Sequence, residues 1–136
     1  MKSIYRIIDA NLNRALEGLR VVEEITRFIL DNKTLTLRIK KLRHRVAQAV
    51  SSLDLLKARK VRSDVGRKLY TKREGSRKTV RDIFHSNIKR AEEAVRVLEE
   101  FSKLIDPKLG KSFKAMRMQA YQIEKLVGVK LERVDL

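Results

Sequence analysis

Apolar residues recur at three- and four-residue spacing along four stretches of this 136-residue chain. Leu12, Ala15, Leu19, Val22, Ile25 and Ile29 mark the first, and Leu35, Ile39, Leu42, Val46, Ala49, Val50 and Leu53 the second. Ala91, Ala94, Leu98, Phe101 and Ile105 mark the third, and Leu109, Phe113, Met116, Ala120, Ile123 and Leu126 the fourth. Such spacing lays one apolar stripe along each of four helices. Helix one is expected from Ser3, as N-cap, to about Leu30, with Asp31-Asn32-Lys33 as the turn. Thr34 would cap helix two, which ends near Leu56. Residues 57–78 show no sustained apolar period. Thr79 with Asp82 resembles a capping box for helix three, and Asp106-Pro107 is an N-cap followed by proline at the first helical position of helix four. Gly128 reads as a stop, and the tail 129–136 alternates like a strand without a partner, expected to lie loosely on the bundle.

The first helix is written twice. At an offset of 76, Asn11, Arg14, Ala15, Glu17, Arg20, Val21, Glu23, Glu24 and Ile29 meet identical residues at Asn87, Arg90, Ala91, Glu93, Arg96, Val97, Glu99, Glu100 and Ile105. A weaker echo at an offset of 74 sets Lys40 and Arg43 against Lys114 and Arg117. The fold class is therefore all-α: one domain, a four-helix bundle of two repeated hairpins, 3–56 and 79–128, with pseudo-twofold symmetry. On a helical wheel Asn11 and Asn87 fall in the middle of the apolar faces, and Arg14 and Arg90 at their margins. A buried amide must find a partner, so the two asparagines either bond each other or nearby backbone, or line a cavity between the halves. Arg20 and Arg96 lie on the far side among glutamates at three- and four-residue spacing. That pattern reads as a solvated face of weak ion pairs, although its repetition argues for more.

Charge changes the picture. The net charge is +16, and residues 57–81 alone hold eleven basic side chains against two acidic ones. The natural partner is an anion, either nucleic acid or a phosphorylated small molecule. The absence of cysteine rules out disulfides and thiolate chemistry. With no long apolar run and no signal-like N-terminus, a cytoplasmic protein without membrane association is expected. Neither a G-x-x-x-x-G-K-[ST] loop nor a G-x-G-x-x-G is present, and the two histidines, His44 and His85, form no ligand spacing. The candidate chemistry consists of arginines at helix margins, paired carboxylates, and a basic segment containing Asp64 and Gly66. These parts suit metal-assisted phosphoryl transfer and static anion binding equally.

The runs IIDANLNRALEGLRVVEE, LRHRV, DVG and NIKRAEEAVRVLEEF together resemble one family. It is the small all-helical hydroxymethylpyrimidine phosphate kinase domain, found alone or fused ahead of thiamine-phosphate synthase. The resemblance implies ATP-dependent phosphorylation of hydroxymethylpyrimidine phosphate to its pyrophosphate in thiamine biosynthesis. Synthase activity is not expected, for want of the barrel it would need. On this reading Arg14, Arg90, Arg43 and Arg117 would neutralise phosphates, with Asp64 and Asp9 holding Mg²⁺. Asn11, Asn87 and either Glu17 or Glu93 would read the aminopyrimidine edge. Arg59, Arg62, Gly66 and Arg67 would cover ATP as part of a closing lid. Homo-oligomerisation and association with thiamine-phosphate synthase are further partner expectations. Two alternatives of other classes remain: a basic nucleic-acid-binding module, disfavoured by having only Tyr70 to stack on bases, and a non-catalytic dimerisation domain.

Overall fold

The computed structural model describes residues 1–72 and 74–134. Arg73 of the basic segment and the last two tail positions, Asp135 and Leu136, lie outside the described residues. Helix α1 spans Lys2–Glu24 and runs on into a π-helical turn, Ile25–Ile29. Helix α2 spans Lys33–Ala49, α3 Val80–Ser102 and α4 Pro107–Leu131. Among the described residues there is no strand, and the helices pack as a bundle. The broadest contact is α1 against α3, followed by α3 on α4, α1 on α2 and α2 on α4. One core runs through all four, from Ile8 and Leu19 through Ile39 and Val46 to Phe84, Leu98, Phe113 and Val127. The stripes expected from the sequence are buried over most of their length, but Ile29 and Leu126 at their ends are exposed.

Helix ends show where local signals win and lose. Thr79 accepts from the Asp82 N–H at 3.1 Å while the Asp82 carboxylate accepts from the Thr79 N–H at 3.2 Å, so the capping box is real. Backbone N–H groups, that of Lys78 first, also hold the Asp82 carboxyl below its ordinary range. Asp106 caps α4, with Pro107 opening it. Ser3 does not cap α1; Met1 is its N-cap and Ser3 already sits in the first turn. Nor does Thr34 cap α2, because Asn32 takes that place and accepts from the Leu35 N–H at 2.9 Å. Helix α2 stops at Ala49 rather than near Leu56. There Ser51 donates its hydroxyl to the Gln48 carbonyl, and the chain bends so that Leu55 and Ala58 can still reach the core. At the other end Gly128 lies inside α4, which continues to Leu131. Burial of Val127 and Leu131 outweighs the roughly 1 kcal/mol helix cost of a glycine. The Arg81 guanidinium donates to the Leu131, Glu132 and Val134 carbonyls, so the expected loose strand is a capped helix end.

The change of offset from 76 to 74 means hairpin one has two more residues at its tip than hairpin two. The π turn takes up part of that excess, since it fits an extra residue within one turn. Asp31 then turns the chain in a left-handed conformation, φ 48°. Buried Thr26 secures the tip, donating to the Glu23 carbonyl and accepting from the Thr36 hydroxyl.

Both hairpins enclose the same charged cluster. Glu23 is 3% exposed and receives Arg43 of α2 at 3.3 Å, with Arg20 of its own helix at 3.6 Å. Glu99, also buried, receives Arg117 of α4 at 2.9 Å and Arg96 at 2.8 Å. Hydrogen bonding to Glu99 is the first cause raising the Arg117 pKa. Arg20 and Arg96 therefore serve buried carboxylates, and the apparent solvated face is half interior. Arg117→Met should destabilise the protein by about 1–3 kcal/mol, because Glu99 keeps only the half-exposed Arg96. Chemical denaturation would check this, and an unchanged midpoint would mean that Arg96 alone satisfies the buried charge.

The α1–α3 crossing is tight at Gly18. A Cβ there would lie 2.7 Å from the Asn87 carbonyl oxygen and 3.3 Å from the Ala91 nitrogen. Gly18→Val should therefore cost about 1–3 kcal/mol, since the helices must part to admit it. A variant with unaltered stability would show that this crossing gives way without loss.

Candidate functional site

Between the first half of α1 and the start of the basic segment lies a cleft of about 530 Å³. Its walls bring together Asp9, Asn11, Arg14, Arg59, Asp64 and Arg67 from the residues singled out in the sequence. Ser3, Arg6, Asn13 and Lys60 join them. Sequence reasoning had passed over these four, although Arg6 and Asn13 flank Asp9 at three and four residues, which places them on its helix face. Five basic side chains face two acidic ones, so the cleft carries +3.

Asp9 is the structural hinge of the cleft. It is 5% exposed, and the Arg59 guanidinium grips it in fork-to-fork fashion, Nε to Oδ2 at 2.7 Å and Nη2 to Oδ1 at 2.8 Å. That hydrogen bonding raises the Arg59 pKa. Asn13 donates to the Asp9 carbonyl at 3.0 Å and to its carboxylate at 3.4 Å. Through this contact the basic segment is fastened onto α1. Its residues 60–72 and 74–79 are otherwise exposed and held by local turns, including one in which Asp64 Oδ1 accepts from the Gly66 N–H at 2.7 Å. Gly66 lies beside the cleft through that turn, whereas Arg62 is not among its lining residues.

The two asparagines do not meet. Asn11 donates to the Ile7 carbonyl at 2.9 Å and Asn87 to the Ile83 carbonyl at 2.8 Å, each one turn back on its own helix. Asn11 Oδ1 accepts from Arg14 at 3.4 Å, which leans that guanidinium toward the cleft. Asn87 and Arg90 lie on α3 outside the lining of the cleft, and Glu17 and Glu93 are exposed and outside it too. Arg43 and Arg117 are engaged with Glu23 and Glu99.

A second cleft, about 600 Å³, is lined by Lys72, Ser76, Arg77, Lys78, Asp82, His85 and Ser86. By the repeat, Asp82, His85 and Ser86 correspond to Arg6, Asp9 and Ala10, so the two clefts occupy equivalent places on the two hairpins. The basic segment thus supplies its first half to one cleft and its last part to the other. His85, in the place of Asp9, offers no carboxylate to fasten an arginine.

A divalent cation would find two carboxylates at the first cleft. Asp64 has Oδ2 open beside the turn, and Asp9 is already bound by Arg59. No cluster of three metal-ligating side chains occurs among the described residues. Magnesium commonly binds through one or two carboxylates plus the phosphates of its ligand, and these residues fit that pattern. No helix among the described residues is long and apolar enough to cross a membrane.

Comparison with known proteins gives the chain close relatives. It is 47% identical over 130 residues to a thiamine-phosphate synthase of Synechocystis sp., covering 95% of this chain and 38% of that protein. It is 45% identical over 121 residues to a thiamine-phosphate synthase of Nostoc punctiforme, covering 89% and 34%. A Rhodopirellula baltica protein of the same name is 37% identical over 123 residues, covering 88% and 33%. The chain spans about a third of the length of these curated relatives. No solved structure matches it. The ThiD2 family model matches residues 6–126, and the chain belongs to the ThiD2 family.

Proposed function

We propose that this chain acts in thiamine biosynthesis as a phosphotransferase, converting hydroxymethylpyrimidine phosphate to its pyrophosphate at the expense of ATP. Membership of the ThiD2 family and relatives named thiamine-phosphate synthase support the pathway. The observation that carries the reaction class is the first cleft, where Arg6, Arg14, Arg59, Lys60 and Arg67 converge around two carboxylates. Guanidinium groups on two sides of a cleft suit ligands with several phosphate oxygens. The acceptor is itself a phosphate, ionised at neutral pH, so the transfer needs no strong general base. That accords with a cleft lined by no histidine.

In this reading Arg14 and Arg67 neutralise the phosphates from opposite walls, and Arg59, fixed by Asp9, presents its free N–H groups between them. Asp64 would hold Mg²⁺ together with the phosphates, and the ion would supply charge neutralisation at the transferring group. Asn11 acts as a positioning residue for Arg14. Arg90, Arg43 and Arg117 lie outside the lining of this cleft, the last two engaged with Glu23 and Glu99.

ATP-dependent formation of the pyrophosphate by the purified chain is the direct test. Arg14→Ala should lower kcat/KM by roughly 10²- to 10³-fold, the scale of losing one preorganised donor, with helical content unchanged. A wild-type chain that transfers no phosphate, but binds polynucleotide with steep salt dependence, would replace this reading with a nucleic-acid-binding one.

The segment from Lys57 to Lys78 is rich in trypsin sites, and its residues 59–72 and 74–78 are exposed. Mg-ATP with the pyrimidine phosphate should slow tryptic cutting there strongly, as anions relieve its crowding of positive charge. Arg59→Ala should speed cutting in the ligand-free protein by releasing the ion pair that fastens the segment to Asp9 of α1. Equal cutting with and without ligands would leave the segment a passive connection.

A further inference from the structure

Glu92 is a buried carboxyl in an unusual position. It is 3% exposed on α3, and its Oε2 is wholly buried without a hydrogen-bond partner. The charged groups acting on it are Lys89, one turn back on α3, and Glu124 across on α4. Lys89 Nζ lies 3.4 Å from Glu92 and 3.2 Å from Glu124, a single cation between two carboxylates. On the α1 side, α3 presents uncharged Ala91 and the Asn87 backbone to Gly18.

The duplication supplies a built-in comparison. The positions equivalent to Glu92 and Glu124 in hairpin one are Leu16 and Val50, and Lys89 corresponds to Asn13. Positions that carry apolar side chains in one half thus carry two carboxyls in the other. The packing itself does not call for charge at this place.

Two ionised carboxylates can only accept, so neither can satisfy the other. One proton changes this: a protonated Glu92 donates an O–H···O bond to Glu124, and Lys89 then balances the single remaining charge. We propose that Glu92 and Glu124 form a proton-sharing latch between α3 and α4, closed when one proton lies between them and loosened when it leaves. Burial first, and then the Glu124 carboxylate, push the Glu92 pKa up to about 7. Hydrogen bonding to Glu124 is likewise the first cause raising the Lys89 pKa. An acid whose folded pKa is raised contributes stability below its ordinary value of 4.5, and that stability is lost as pH rises through about 7. Hairpin two should therefore loosen within the range where hairpin one, with Leu16 and Val50, is indifferent.

The full chain tests this without any ligand. Its melting temperature should fall by about 5 °C or more between pH 5.5 and pH 8.5. Glu92→Gln, which keeps the shape and a donor but cannot ionise, should remove most of that fall. Carbon NMR of the Glu92 carboxyl should show a midpoint near 7 in the wild type, moving down by a unit or more in Glu124→Gln. Glu92→Leu, which copies Leu16, should be at least as stable as wild type at pH 8.5. If that variant fails to fold, the Gln variant and the titration decide. A Glu92 midpoint below 5, or a Glu92→Gln melting profile parallel to wild type, would overturn the latch.

Discussion

Each hairpin closes on a carboxylate that water scarcely reaches. Leaving Glu23 or Glu99 ionised and unpaired in the interior would cost several kcal/mol, which is a large part of a small domain's stability. Arginines on two helices remove that cost, one on the carboxylate's own helix and one on the facing helix of the hairpin. The second contact is what sets the geometry. Arg43 and Arg117 reach their glutamates only at one alignment of the paired helices, so the ion clusters specify register where apolar stripes alone would tolerate slippage. The pairing of α1 with α2 and of α3 with α4 is held at that alignment.

Function has departed from symmetry while the frame kept it. The clusters around Glu23 and Glu99 match partner for partner, and so do the backbone bonds of Asn11 and Asn87. The positions that differ cluster where chemistry or regulation can be placed. Asp9 corresponds to His85 in the repeat, and the aspartate holds Arg59 of the connecting segment. Leu16 and Val50 correspond in the repeat to Glu92 and Glu124, so apolar positions in one half are titratable in the other. At the tips, two extra residues give hairpin one a π turn. A duplicated fold can change one copy in these ways because the other copy continues to hold the bundle together.

The all-helical bundle, the duplication and the caps at Thr79 and Asp106 were legible in the sequence because each rests on local spacing or a short motif. The end of α2 and the passage of α4 through Gly128 were not. Both depend on tertiary burial, of Leu55 and Ala58 in one case and of Leu131 with its Arg81 cap in the other. The site was half legible. Asn11 and Arg14 could be placed at the centre and margin of one helix face by counting, and Asp64 and Arg67 by charge and turn chemistry. Nothing local shows that Arg59, fifty residues along, would close on Asp9. The arginines Arg43 and Arg117 were misleading for a related reason. An arginine at the margin of a stripe looks the same whether it faces a ligand or a buried glutamate, and only the fold tells which.

That long-range pair also decides how the cleft can treat an anion. A guanidinium has five N–H groups, and Asp9 takes two of those on Arg59. The remaining three are free to turn toward the cleft, so Arg59 need not leave Asp9 to meet a phosphate. Asp9, buried and paired, then works from behind as the group that holds an arginine in place. It neutralises part of the positive charge of the cleft, which reduces repulsion among Arg6, Arg14, Lys60 and Arg67 before any ligand arrives. An equivalent cation fastened by nothing would have to be ordered at the moment of binding, at a cost in side-chain entropy. Preorganisation of Arg59 on Asp9 is what this cleft gains at the place where its counterpart carries His85, a side chain with no carboxylate.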